Sequence, residues 1–103
     1  MAKVRKAARG KHRWVGLEFE SESLSRDEVG EKLKVMLGLI NFRLYDCKSQ
    51  SDSTIAIIKV PLPNYALARE AILNAAGVES LTSSGKIRLV RERLGLPRPV
   101  RKR

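Results

Sequence analysis

The chain contains little of what most enzymes and exported proteins depend on. Its 103 residues include one cysteine, Cys47, and its longest uncharged run, residues 60–68, contains two prolines. A lone cysteine forms no internal disulfide and provides too few ligands for a zinc site, which favours a reducing interior compartment. The uncharged run falls far short of the roughly 18 apolar residues that indicate a membrane span. We therefore expect a soluble, cytoplasmic protein with no membrane partner.

Catalytic motifs are also missing. The seven glycines are scattered and form neither of the two glycine-rich patterns that cradle phosphates. Ser83 and Ser84 lack the G-x-S-x-G surroundings of a nucleophilic serine, and the chain has no second histidine to act as a base beside His12. Because His12 lies between Lys11 and Arg13, contact with RNA or solvent is favoured over a general-base role. The sequence predicts no catalytic residues.

Metal ligands are equally hard to assemble. Glu18, Glu20 and Glu22 fall on one face of a predicted strand, as the ligands of a metal ion would. A strand that faces solvent or a partner produces the same spacing, and we favour that interpretation. We predict no metal site and no cofactor bound by the chain itself.

Positive charge is abundant, and it is concentrated at the two ends. Residues 1–13 carry six Lys/Arg and no acid, whereas residues 86–103 carry eight Lys/Arg and one acid. The intervening residues 14–85 carry seven Lys/Arg and ten Asp/Glu, so the net charge of +10 comes entirely from the ends. A folded body with two basic extensions is typical of proteins that bind nucleic acid. The alternative is that the basic ends only confer solubility.

The first third of the chain predicts a strand followed by a helix. Residues 14–20 alternate between apolar and polar side chains, which is the period of a half-buried strand. The pair Ser25 and Glu28 has the spacing of a capping box, and an apolar stripe at helical spacing follows it. We predict a helix over Arg26–Leu37 that ends at Gly38.

The middle of the chain predicts a hairpin, a second helix and a last strand. Two strands over residues 41–48 and 53–60 are joined by a polar turn, and the second strand is apolar on both faces. Such a strand belongs in the middle of a sheet that is covered on both sides. Asn64 is placed to cap the next helix and Gly77 to end it. A short strand over residues 78–82 follows, and Ser83-Ser84-Gly85 is predicted to turn the chain.

This order of elements predicts an α+β fold. The succession β-α-β-β-α-β matches a ferredoxin-like or RRM-like α/β sandwich with a four-stranded antiparallel sheet, and right-handed crossovers place the first and third strands in its middle. Residues 86–94 predict an extra C-terminal helix over the second face of the sheet, with a continued strand as the alternative. The predicted organisation is a basic arm (1–13), one α/β domain (14–94) and a flexible basic tail (95–103).

Several stretches resemble ribonuclease P protein component 2, a family of small archaeal α/β subunits related to a eukaryotic subunit. They are K-H-R-W-V-G-L-E-F-E-S-E in the first strand, S-R-D-E-V at the first helix, I-I-K-V in the third strand, and L-T-S-S-G-K-I-R-L-V-R-E-R-L. Together they span about residues 11–94. The family usually has threonine where this chain has Lys86.

The resemblance implies a non-catalytic, RNA-binding subunit of the ribonucleoprotein that removes the 5′ leader of precursor tRNA. In that family the RNA and its bound magnesium carry out the hydrolysis, and a TIM-barrel protein subunit is the partner. Precursor tRNA is then contacted at most indirectly, and the isolated chain is no enzyme. A ribosomal or other structured-RNA scaffolding protein, or a protein-interaction module with solubilising basic tails, remains the alternative.

Phosphate neutralisation by the basic ends predicts the residues that contact ribonuclease P RNA. Stacking of bases on the sheet is not expected, because the third strand has no aromatic residue and the first carries Glu18 and Glu20. The predicted RNA-binding residues are Lys11, His12, Arg13, Lys86, Arg88, Arg91 and Arg93.

Overall fold

The computed structural model describes residues 11–20 and 23–96. Most of the predicted basic arm (1–10), Glu22 and most of the predicted tail (97–103) lie outside the described residues. The described elements are four strands and three α-helices: β1 (His12–Glu20), α1 (Arg26–Leu37), β2 (Arg43–Ser49), β3 (Ser53–Pro61), α2 (Tyr65–Asn74), β4 (Val78–Ser84) and α3 (Ile87–Leu94). A short 3-10 turn, Leu62–Asn64, leads into α2.

The sheet confirms the predicted α+β fold. All three strand pairs are antiparallel and the order is β2-β3-β1-β4, so the first and third strands are central, as in a ferredoxin-like arrangement. β1 begins at His12, two residues before the predicted start. None of the described helices has the length and apolar character needed to cross a bilayer.

The ends of the first two helices test the predicted caps. The backbone N–H of Glu28 donates to Ser25 Oγ at 3.2 Å and the backbone N–H of Ser25 donates to Glu28 Oε1 at 2.9 Å, which confirms the capping box. Gly38, at φ 61°, ends α1 as predicted. The Asn64 cap is wrong: its side chain makes no capping hydrogen bond, because Asn64 ends the 3-10 turn with a helical backbone (φ −98°, ψ 0°) instead of the extended backbone typical of an N-cap.

The last strand is longer than predicted. Ser83 and Ser84 belong to β4 and pair with Val15 and Trp14 of β1, so the predicted serine-glycine turn is confined to Gly85. The hydroxyl groups of Ser83 and Tyr65 share a hydrogen bond of 2.6 Å, which ties β4 to α2. Both partners lie within the predicted range of the first strand, so pairing with that strand, which local sequence does not reveal, extends β4 through Ser84.

Apolar side chains are buried on both faces of the sheet. The larger cluster lies between the sheet and the helices α1 and α2, and its fully buried members include Val15, Leu17, Leu33, Ile58 and Ile72. A smaller cluster on the second face consists of Trp14, Ile57 and Val90, with Tyr45, Ile87, Leu94 and Leu96 packed against it. The predicted C-terminal helix is therefore confirmed, and it covers the second face as expected.

Gly16 explains how closely α3 approaches the sheet. A Cβ atom at this buried position would lie 2.7 Å from Leu94 Cδ1 and 3.2 Å from Val90 Cγ1, closer than carbon atoms pack. A side chain here would have to displace Leu94 and Val90, which pack α3 against the sheet. The helix ends at Gly95, whose left-handed backbone (φ 73°) lets its N–H donate to the carbonyls of Arg91 and Glu92.

Replacement of Val90 by alanine should measure how much the covering of the second face stabilises the fold. The change removes two buried methyl groups, so we expect the free energy of unfolding to fall by about 2 kcal/mol. Urea titration followed by the fluorescence of Trp14, the single tryptophan, measures it. Glu92→Ala, at an exposed position of the same helix, should change stability by less than about 0.5 kcal/mol. Equal losses for the two variants would contradict the packing described.

Candidate nucleic-acid interface

The predicted RNA-binding residues lie in two places. Lys11, His12 and Arg13 lie at the start of β1, and the other four lie on α3 and at the residue before it. Arg13 of the first group lies close to Gly85, the residue before Lys86 of the second group. A Cβ atom built on Gly85 would lie 3.4 Å from Arg13 Nη1. The start of β1 and the start of α3 are therefore neighbours in space.

Arg91 forms the strongest polar contact between α3 and the sheet. Its Nε and Nη2 donate to the two carboxylate oxygens of Asp46 at 2.6 and 2.9 Å, and the side chains are only 21% and 25% exposed. This hydrogen bonding raises the pKa of Arg91 above its ordinary value, against the opposing effect of burial. Because Asp46 compensates its charge, Arg91 is first of all an anchor of α3 on β2. Contact of Arg91 with RNA stays a prediction.

The other cations of α3 differ in how much they are held. Arg93 Nη1 donates to Thr82 Oγ1 and to the Ser83 carbonyl, each at 3.0 Å, and so fastens α3 to β4. Lys86 and Arg88 are exposed, and within residues 11–20 and 23–96 no carboxylate forms an ion pair with either. These two side chains are available to phosphate without breaking a described ion pair.

Two further cations, absent from the sequence-based set, join the start of β1. Arg43 of β2 pairs directly with Lys59 of β3, and His12 of β1 pairs with Pro61 on the other side of β3. Strand pairing thus gathers cations from three strands at one end of the sheet. They surround an open pocket of about 250 Å³ whose lining is Lys11, His12, Asn41, Phe42, Arg43, Lys59 and Pro61. We call this the strand-end pocket.

Aromatic rings orient these cations. The Trp14 ring meets the His12 and Tyr45 rings edge to face, with centroids 5.4 and 4.6 Å apart. Lys59 Nζ lies 5.6 Å from the Trp14 centroid and 5.9 Å from that of Tyr45, and Arg43 lies 5.7 Å from the latter. Cation–π attraction restricts the rotamers of both side chains without neutralising their charge. The cations are therefore presented in ordered positions.

An irregularity in β2 makes this arrangement possible. The register with β3 shifts between Leu44 and Asp46. As a result, the side chains of Tyr45 and Asp46 both lie on the face of the sheet that α3 covers. Arg26 of α1 stabilises the bulge, because its guanidinium donates to the carbonyls of Leu44 and Tyr45 at 2.7 and 3.1 Å. One bulge thus places the Asp46 anchor and an aromatic ring side by side.

The opposite end of the sheet carries negative charge. Glu18 pairs across the strands with Glu79. A hydrogen bond with the Glu79 side chain raises the pKa of Glu20, and burial and the negative charges of Glu79 and Glu18 raise this pKa further. The described part of the chain contains no group of three or more side chains suited to hold a metal ion. The sheet therefore has a cationic end and an acidic end, and a polyanion is attracted to the first.

The cations that sequence reasoning missed left a weak signal. Lys59 is the one charged residue of β3, and the turn at residues 51–52 predicts a hairpin with the preceding strand. Counting outward from the turn sets Lys59 opposite Leu44, and only the bulge, which shifts the register by one, sets it opposite Arg43. Base stacking on Trp14 remains disfavoured, since this ring is only 8% exposed beneath α3.

Comparison with known proteins adds no assignment. No protein-family model matches the chain, and no curated protein matches it significantly. The function must therefore be argued from the cations, their partners and the surfaces described above.

A double-mutant cycle on Asp46 and Arg91 should reveal coupling across α3. We expect the coupling energy between Asp46→Ala and Arg91→Ala to be about 1–2 kcal/mol in favour of the native pair, because each single change leaves a half-buried charge without its partner. Urea unfolding of the wild type, the two single variants and the double variant gives this value. Arg88→Ala, at an exposed position of the same helix, should show no coupling to Asp46→Ala. Additive effects for the Asp46 and Arg91 changes would contradict the anchor.

Proposed function

We propose that the chain is a non-catalytic RNA-binding protein that neutralises phosphates at the cationic end of its sheet. The observation that carries this proposal is the convergence of Lys11, Arg43 and Lys59 on one pocket. Within residues 11–20 and 23–96, no carboxylate forms an ion pair with any of these three side chains. Lys86 and Arg88, both exposed, extend the cationic surface toward α3.

Backbone contacts of this kind suit structured RNA. Lys and Arg side chains that displace condensed counterions gain affinity from any phosphate chain, and that affinity falls steeply as salt rises. The acidic end of the sheet, with Glu18, Glu20 and Glu79, repels the same chain and so limits how the RNA can lie across the protein. The basic residues of 1–10 and 97–103 add charge to this attraction.

Within this class, we propose that the chain is a protein subunit of ribonuclease P that acts in the cytoplasm. It would support the catalytic RNA in removing the 5′ leader of precursor tRNA, alongside a TIM-barrel protein subunit, with magnesium held by the RNA. The support is the resemblance of residues 11–94 to the family described above. The α+β fold is compatible with it, and the exposed cations of the described residues would contact the RNA.

The triple variant Lys11→Ala, Arg43→Ala, Lys59→Ala should bind structured RNA more weakly and with less dependence on salt. Loss of three phosphate contacts should reduce the slope of log affinity against log salt by about two. The measurement is fluorescence anisotropy with labelled ribonuclease P RNA at several salt concentrations, after circular dichroism has confirmed folding.

The matched control removes the same charge from the opposite layer. Lys32, Lys34 and Arg69 are exposed on α1 and α2, and their simultaneous replacement by alanine should leave most of the affinity and the slope in place. If the two triple variants lose the same affinity, net charge alone drives binding, and the proposal that the cationic end of the sheet is the RNA surface is wrong.

Reconstitution tests the more specific proposal. Purified ribonuclease P RNA and the TIM-barrel subunit should cleave the leader from precursor tRNA faster, or at lower magnesium, when this chain is present. The expected reason is that its cations lower the repulsion between folded RNA segments. The triple variant at the strand-end pocket should restore less activity than the control triple variant. Cleavage that is indifferent to the chain would refute the ribonuclease P assignment while leaving RNA binding open.

A further inference from the structure

We infer that the strand-end pocket holds one unpaired nucleotide of the bound RNA, with its base inside the pocket and its phosphate on the surrounding cations. This inference rests on the proposed RNA-binding function and names the kind of RNA that the cationic end selects. It concerns the pocket lined by His12, Asn41, Phe42 and Pro61 and the cations around it.

The size of the pocket suits a single nucleotide. Its volume is about 250 Å³, whereas sites for drug-sized ligands span about 300–1,000 Å³. A duplex is far too large to enter, and in A-form RNA each base is paired and stacked, so none of its flat faces is exposed. The occupant that fits is a base that has left the stack.

The chemistry of the lining matches the two parts of a nucleotide. His12 and Phe42 bring aromatic side chains to the pocket lining, and Pro61 adds an apolar ring, which together suit the faces of a base. The Asn41 side chain is exposed at the pocket and carries both a donor and an acceptor, which suit the edge of a base. Lys11, Arg43 and Lys59 around the same pocket supply the charge that a phosphate requires.

The site is largely formed before any ligand arrives. The backbone N–H of Leu62 donates to the Lys11 carbonyl at 3.2 Å, which holds the first residue of the pocket against the end of β3. Lys59 and Arg43 are oriented by the rings of Trp14 and Tyr45, as described above. A site held by strand pairing and ring contacts loses little entropy when it binds, which favours affinity from few contacts.

An acidic peptide is the competing occupant, since its carboxylates would also satisfy the cations. It would leave the ring surfaces without a matching group, because Asp and Glu side chains have no aromatic face. The lining therefore favours the nucleotide, and the peptide becomes one outcome of the experiment.

The test compares single-stranded and duplex RNA on variants of the pocket lining that leave its three cations intact. Asn41→Ala and His12→Ala are each measured by fluorescence anisotropy against a labelled single-stranded hexamer and a blunt hairpin whose two strands are joined by a polyethylene glycol linker, so that it contains no unpaired nucleotide. Loss of a base contact should weaken hexamer binding about tenfold, with less than a twofold change for the hairpin. Asn74→Ala, at an exposed position of α2, should change neither.

Three further results decide between occupants. Chemical-shift changes at residues 11, 12, 41–43 and 59 on addition of the hexamer support the pocket. Adenosine monophosphate that binds as tightly as the hexamer would show a site for free nucleotides and overturn the inference, as would a hexaglutamate peptide that displaces the hexamer at equal concentration.

Failure of the inference and failure of the proposed function give different results. Equal losses for hexamer and hairpin in the Asn41 and His12 variants would overturn the nucleotide pocket, while the salt-dependent loss in the three-cation variant still supported RNA binding. No binding of the wild type to either RNA would overturn both. Urea unfolding followed by Trp14 fluorescence checks that each variant is folded.

Discussion

The rest of the structure depends on the need to bury both faces of β3. Its side chains are apolar in both directions, so two helices on one face leave Ile57 and the neighbouring Trp14 in contact with water. The helix α3 removes that cost by packing Val90 over them, and Gly16 allows it to approach closely. Burial of these side chains therefore sets where the chain goes after β4.

The position of α3 in turn separates the cations of the chain by role. Arg91 and the exposed Arg93 hold the helix on Asp46, Thr82 and Ser83, whereas the exposed Lys86 and Arg88 form no ion pair within the described residues. The basic helix α3 thus packs against the sheet with one face and exposes positive charge on the other. The strand-end pocket lies beyond the Trp14 ring that α3 covers, so the helix leaves Arg43 and Lys59 accessible beside it.

Much of the fold could be predicted because its signals are local. The alternation in β1, the Ser25–Glu28 capping box and the two-sided apolar pattern of β3 each lie within one stretch of chain and fix an element where it stands. The errors lie at the ends of elements, where an adjoining turn or a paired strand decided the outcome. Asn64 lost its capping role to a 3-10 turn, and β4 was extended through Ser84 by pairing with β1.

The order of the elements, the apolar stripe of residues 87–94 and the concentration of charge at the ends can be read from the sequence, since each depends on neighbouring residues. Which cations lie together depends on the folded arrangement of the strands. Arg43, Lys59 and Lys11 are far apart in the chain and meet through the pairing of three strands. Likewise, no local pattern marks Asp46 as the partner of Arg91, because a bulge in one strand and the placement of a distant helix bring the two charges together.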